Sequence, residues 1–389
     1  MYRINLLQSH PLSQFIYIVL FLVIVSCDNG SSKENYSLHP TAEVLESFEK
    51  NVTVKLSKIN NGKSNLITDS ELMQKIKSLG VLYGDPNQIF GSIDDVVVSE
   101  DIVFIFDRQK TKVSAFTKDG VFLNSTTSIG RGPDDLFIPI QMTKGGNSNE
   151  LVLLEATGEL KVLLFNPDTL FEIHTISTDF VFSPMSVCYV SGIPFVTHLT
   201  IGESKDEHYL IHQYDKNFIQ KFRSFANIYP ANNTLQAGVY SEGILHCNEE
   251  TESIIYSFDI HPYIQSFTLA GDLIWTAKIN EFEPLRYRDT PAGGGRFVVE
   301  EPKTLYMITS TVLNYGNEIV LQVEERFFYV DQEAERVEPV IHTYTFDSVN
   351  YEQTGYTTKF PLIAYLNENL LIVKKENEYP ILEIYEFLR

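Results

Sequence analysis

Cysteine is scarce in this chain, with three in 389 residues. They stand at Cys27, Cys188 and Cys247, too few for a disulfide-stapled small scaffold or a cysteine-rich metal module. Neither Cys-x-x-Cys nor His-Glu-x-x-His occurs, and the nine histidines are scattered, so no metal-ligand spacing is present. Cys188 and Cys247 are read as two buried thiols; a bridge between them stays open, because sequence cannot supply the approach of the two backbones. Positive charge is also short. Thirty Lys and Arg against 51 Asp and Glu leave a net charge of -21, which excludes a nucleic-acid partner, since duplex binding draws on cations that neutralise phosphates. A Gly-x-Ser-x-Gly elbow, a P-loop and an EF-hand ligand series are all missing. No catalytic residue, metal set or cofactor is therefore nominated.

What is present begins at the N-terminus. An apolar run from Phe15 to Val25 is followed by Ser26 and Cys27. The run is shorter than the roughly 20 residues that span a bilayer, and a small residue precedes the cysteine. The segment Ile24-Val25-Ser26-Cys27 resembles a bacterial lipoprotein signal. That resemblance implies removal of residues 1–26, lipidation of Cys27 and attachment of the chain to a membrane of the cell envelope, the outer membrane being favoured over the inner. Residues 27–40 are polar and core-free, the composition of a flexible tether. Residues 41–389 form the globular body, whose 26 Phe and 21 Tyr favour strands.

A short strand followed by a polar turn recurs along that body. Its copies read Val113-Ser114-Ala115-Phe116-Thr117-Lys118-Asp119-Gly120, then Val162 to Asp168, Leu210 to Asn217, Gln265 to Asp272 and Leu382 to Tyr385. A further copy is placed near Phe328 and Tyr329. Apolar strands precede the copies (Ile102 to Phe106, Leu151 to Leu154, Ile193 to His198, Ile319 to Val323, Leu370 to Val373) and others follow them (Val121 to Thr126, Phe171 to Ile176, Ile219 to Phe225, Leu273 to Ile279). With an opening strand added, each unit holds four antiparallel strands in about 40 to 50 residues, the signature of a β-propeller. Openings near Ile93, Ile138, Met185, Gly238, Thr304 and Leu362 give six blades in an all-β chain. Val52-Thr53-Val54-Lys55-Leu56 alternates like a strand without a partner. It is assigned to the outer edge of the last blade, so that pairing of the chain ends closes the ring. One helix is expected, capped by Asp69 or Ser70 and running through 71–77.

The stretch Ile105-Phe106-Asp107, Phe116, Lys118-Asp119-Gly120 and Ile129-Gly130-Arg131-Gly132-Pro133 resembles the first blade and Gly-Arg-Gly-Pro connection of the six-bladed β-propeller lipoproteins of Bacteroidota, which are similar in architecture to NHL-repeat propellers. Where that family continues Gly-Glu, this chain has Asp134-Asp135. The resemblance implies an envelope lipoprotein with a propeller body and no established reaction.

In such a ring every connection from an outer strand to the next inner strand falls on one face, around the mouth of the central channel. These connections carry aromatics, among them Phe90, Phe137, Phe282, Tyr287 and Phe297, suited to stacking on sugars or peptides as well as to packing under their own loops. They also carry Arg131, Arg286, Arg288 and Arg296, a local positive set in an acidic chain, whose guanidinium forks match carboxylates and phosphates. Acidic neighbours, Asp134 and Asp135 beside Arg131 and Glu281 to Glu301 beside the others, could instead neutralise them. Arg131, Arg286, Arg288, Arg296, Tyr287 and Phe297 are the candidate binding residues. The expected role is a lipid-tethered, non-enzymatic binding or scaffold module for a peptide, glycan or partner protein. The alternative is a metal-dependent hydrolase or lyase in the channel, for which His198, His246 and Glu155 lie in plausible inner regions and are better read as structural.

Overall fold

The structure is a computed structural model. It describes residues 48–57, 73–79, 88–126, 129–166, 171–176, 178, 184–200, 209–228, 238, 240–282, 286–289, 297–300, 304–327, 340–353, 361–367, 370–376 and 380–387. The chain divides into Met1–Ser37 and Leu38–Arg389; the second unit carries every sheet, and the first, with Cys27, lies outside the described residues.

Among the described residues there are seven sheets, six of which follow one another along the chain as blades. Their inner strands are Asp95–Ser99, Pro139–Lys144, Ser186–Val190, Gly243–Asn248, Thr304–Tyr315 and Leu362–Asn367, at or a few residues beyond the expected openings. Each inner strand neighbours the next, and the last neighbours the first. Five of the sheets have at least four strands; the fifth blade has three among the described residues.

The strands are apolar on both faces because every blade is sandwiched between two others. In Ile102–Asp107, Val103 and Ile105 join Ala364, Ile372 and Ile384 of blade 6. Their alternates Phe104 and Phe106 join Met142, Leu151 and Leu163 of blade 2. The period of two thus sends successive side chains into different blade interfaces. Burying each such Phe or Leu contributes about 1.5 to 3 kcal/mol. Further clusters join blade 2 to 3, 3 to 4 and 4 to 5.

Side chains also bridge the inner strands, whose free edges would otherwise leave N–H groups unpaired. Asp95 accepts from Met142 N at 2.8 Å, Gln141 from Val187 N at 2.8 Å and Ser186 from Leu245 N at 3.0 Å. From the second strand of blade 5, Gln322 accepts from Leu362 N at 2.8 Å.

An N-terminal strand closes the last blade, but it is not the one expected. Met73–Leu79 pairs antiparallel with Pro380–Phe387 as the outer strand of blade 6. This segment was expected to be helical. Its Gln-Lys-Ile-Lys composition favours helix in isolation, yet the unpaired edge of the C-terminal sheet captures it as a strand. Its lysines suit that exposed edge; Lys75 pairs with Glu383, while Leu79 is buried. Val52–Leu56 instead lies parallel to Leu273–Ile279 as a fifth strand of blade 4. Its alternation sends Val54 and Leu56 into the apolar cluster between blades 4 and 5.

Two further expectations change. The third strand of blade 5 is Val340–Asp347, downstream of Phe328 and Tyr329, which lie outside the described residues. Cys188 and Cys247 form a disulfide, with Cα atoms 5.7 Å apart. They sit on the inner strands of blades 3 and 4, where neighbouring blades bring the backbones within bridging range.

Candidate functional site

The mouth face carries the outer-to-inner connections and the turns between second and third strands. Its described loops are braced by carboxylates at the ends of second strands. Asp107, in the Ile105-Phe106-Asp107 motif, accepts from Gly91 N at 2.7 Å, Ser92 N at 3.0 Å and Lys110 N at 3.0 Å. It thereby clamps the incoming connection onto its own blade. Asp94 completes the corner by accepting from Arg108 N at 2.9 Å and pairing with the Arg108 guanidinium at 3.2 Å. Glu155 does the same in blade 2, accepting from Phe137 N at 2.8 Å; burial raises its pKa. Asp94 and Asp95 point apart, as adjacent residues entering a strand should. Burial raises Asp95 to about 7, against the hydrogen bond from Met142.

Between these two corners lies the Gly-Arg-Gly-Pro loop. Asp135 accepts from Gly132 N at 2.9 Å, and Asp135 N donates back to Gly132 O at 3.1 Å. A Cβ at Gly130 or Gly132 would stand 2.5 or 2.8 Å from the Asp135 carboxylate, so a side chain at either position would displace that brace. Asp134 is exposed and adopts no left-handed conformation; the departure from Gly-Glu leaves a turn in which Asp135 is the brace. Thr175 donates to Pro133 O at 2.6 Å and Lys161 donates to Thr175 at 2.7 Å, fixing the loop to blade 2.

Arg131 rides on this fixed loop. It is exposed, and its guanidinium carbon lies 4.3 Å from the centroid of the Phe137 ring, a cation–π contact. Among the described residues it makes no ion pair, because Asp135 is turned to the backbone of Gly132.

The other candidates lie elsewhere on the ring. Arg286–Asp289 and Phe297–Glu300 form a separate two-stranded ribbon in the connection between blades 4 and 5. In its register Arg286 stands opposite Glu300, Tyr287 opposite Val299, Arg288 opposite Val298, and Phe297 opposite Asp289. Arg296 lies outside the described residues. Arg131 belongs to the connection between blades 1 and 2, so the order of the blades puts it on the opposite side of the ring from Arg286 and Arg288. Of the other aromatics, Phe90 and Phe282 are buried beneath their loops. Phe137 lies under a cation; elsewhere Lys278 stands 5.6 Å from the centroid of the Tyr263 ring.

The other inner-region residues are occupied in different ways. His198 shares a hydrogen bond with Tyr214 at 2.9 Å and stacks on His212. Burial lowers His246 to about 4, and its Nε2 finds no partner among the described residues. Sequence reading missed Glu242 and Asp259, which meet at the mouth of blade 4, where Asp259 N donates to Glu242 O at 2.9 Å. Burial raises Glu242 to about 8, helped by the neighbouring Asp259, and raises Asp259 to about 7. Their only sequence signal was position, each carboxylate standing where a strand meets a mouth loop. Among the described residues, no three His, Cys, Asp or Glu side chains are grouped to hold a metal, and no helix is long and apolar enough to cross a membrane.

The sequence matches a family model described as a 6-bladed beta-propeller over residues 51–264. Two solved structures share the architecture. One, from Bacteroides fragilis and described as an exported protein, is 10% identical, with 86% of this chain and 99% of the other covered at a TM-score of 0.51. The second, a member of the DUF4221 family from Bacteroides vulgatus, is 10% identical, with 81% and 97% covered at a TM-score of 0.54. At such identity the likeness is one of fold. No curated protein matches the sequence. The family match spans more than half of the chain and agrees with six successive sheets closed by an N-terminal strand: the chain belongs to the six-bladed β-propeller family.

Proposed function

We propose that this protein is an envelope lipoprotein, anchored through Cys27, whose propeller mouth binds an anionic group on a peptide, glycan or partner protein. The observation carrying the binding role is the Arg131–Phe137 pair. A guanidinium held over an aromatic ring on a braced loop, with Asp135 engaged by Gly132 and Asp134 turned to solvent without pairing to it, is preorganised for a bidentate carboxylate or phosphate contact and for stacking of an adjacent ring. Arg286, Tyr287, Arg288 and Phe297 stand on the ribbon across the mouth, which we assign as a second contact zone suited to an extended ligand. The compartment is supported by the signal-like N-terminus, the Cys188–Cys247 bridge, which persists in oxidising compartments, and the exported relative.

Binding is tested by capture from envelope extract on immobilised Leu38–Arg389, beside an R131A/F137A variant. A partner retained by the wild type, released by salt and lost from the variant at unchanged melting temperature is expected. Equal retention by both would refute the role of the pair. Anchoring is tested by fatty-acid labelling: Cys27→Ser should abolish incorporation, and equal labelling would refute it.

A further inference from the structure

The face opposite the mouth carries the turns between third and fourth strands, and blade 3 presents an unusual one. In Lys216-Asn217-Phe218-Ile219-Gln220-Lys221-Phe222-Arg223, Phe218 turns inward and is buried between blades 2 and 3. Ile219 and Phe222 point out, 80% and 58% exposed. Asp215 is committed to the turn, accepting from Ile219 N at 2.7 Å and Gln220 N at 2.9 Å. Lys216, Lys221 and Arg223 are exposed and make no ion pair among the described residues; Arg223 donates to Leu269 O of blade 4 at 3.3 Å. Across that seam, where Phe225 abuts Gly271, Leu273 and Ile274 of blade 4 are exposed as well. One outer corner of a chain with net charge -21 therefore brings four protruding apolar side chains together with three cations, against a single exposed carboxylate among its described residues, Asp272, beside Leu273. The acidic turn containing Glu249, Glu250 and Glu252 lies on the inner half of this face.

We propose that this corner of blades 3 and 4 docks on an anionic lipid bilayer. Ile219, Phe222, Leu273 and Ile274 would enter the acyl boundary while Lys216, Lys221 and Arg223 meet headgroup phosphates. The chemistry is that of an interfacial surface: side chains that protrude rather than line a groove, with long cations around them. A second copy presenting the same three cations would be repelled. The remaining acidic surface is repelled by the same bilayer, so the corner also sets orientation and turns the mouth away from the lipid. The proposal does not depend on the mouth-binding reading.

The test uses Leu38–Arg389, which lacks the lipidation site, in co-sedimentation with vesicles of phosphatidylcholine alone or mixed with phosphatidylglycerol. Binding to the mixed vesicles only, reversed by salt, is expected. K221Q/R223Q should weaken it about thirtyfold, from about 1 kcal/mol per basic residue near the surface. I219S/F222S should weaken it by at least about tenfold. Both variants should keep the wild-type melting temperature, since the altered side chains are exposed. Absence of binding, equal binding to both vesicles, or undiminished binding by either variant would overturn the proposal. A concentration-dependent dimer removed by I219S/F222S would overturn it in favour of a second copy.

Discussion

Replacing Cys188 and Cys247 together by alanine removes the covalent link between the inner strands of blades 3 and 4. The bridge closes a loop with a sequence separation of 59. In the chain-entropy description that loop restricts the unfolded ensemble by about 14 cal/mol/K, or about 4 kcal/mol at 25 °C. The seam keeps its apolar cluster and the bond from Leu245 N to Ser186, so the blades should stay docked and the loss should come mainly from the freed unfolded chain. Denaturant unfolding of Leu38–Arg389, which contains only these two cysteines, provides the measurement. Wild type should lose about 4 kcal/mol on addition of a reductant, C188A/C247A should start from the reduced value, and the variant should ignore the reductant. Two titratable thiols in the denatured, unreduced wild type, or a midpoint indifferent to reductant, would refute the reasoning.

Leu79→Ala should cost about 2 to 5 kcal/mol, because it empties a buried site where the closing strand meets blade 1; a melting temperature equal to wild type would argue against closure by this strand. Gly120→Val should destabilise by more than about 1 kcal/mol: its φ is +76°, and an added Cβ would stand 2.5 Å from Leu79. Asp107→Ala should cost about 1 to 3 kcal/mol by leaving the N–H groups of Gly91, Ser92 and Lys110 without their acceptor, and hydrogen exchange at Gly91 and Ser92 should accelerate. Stability should be greatest at about pH 5 to 6, where the two sets of shifts balance. Asp95, Glu242 and Asp259, raised to about 7, 8 and 7, hold protons that the unfolded chain loses in the ordinary carboxylate range, so their contribution declines from there and is gone once pH has risen past those values. His212, His246 and His261, lowered to about 3, 4 and 3, stay neutral when folded, so theirs declines as pH falls below the ordinary histidine value. Melting temperatures measured above neutrality should therefore fall, and E242Q/D259N should flatten that limb; an unchanged slope would assign the loss to other groups.

The blades were legible because each strand carries its own signal. Val103 to Phe106 is apolar at every position, and Lys118-Asp119-Gly120 marks the following turn, so both strand and boundary can be read without knowing the neighbours. The two N-terminal strands could not be placed in that way. Val52–Leu56 says that it alternates, but whether blade 4 or blade 6 receives it depends on sockets formed by Ile279, Phe346 and other residues far along the chain. Met73–Leu79 reads as helix because local propensity knows nothing of the sheet edge that captures it. Arg131 was legible by its contrast with an acidic background and by the glycines around it; its ring partner Phe137, though noted as a mouth aromatic, becomes a partner only once Glu155 fixes the backbone of Phe137. Glu242 and Asp259 escaped notice because neither belongs to a motif, and a two-stranded hairpin, Gly243–Asn248 and Ser253–Phe258, separates them.

The destinations of the two N-terminal strands impose an order on biogenesis. Val52 meets Thr276 and Met73 meets Phe387, so the first of these strands has no docking site until blade 4 exists, and the second has none until Pro380–Phe387 is made. Contacts of such sequence separation are slow to form. Until they do, the outer edges of blades 4 and 6 remain open for pairing with other chains. Completion of the ring thus waits for Phe387, and the interval before it is when the polypeptide is most exposed to aggregation and to proteases.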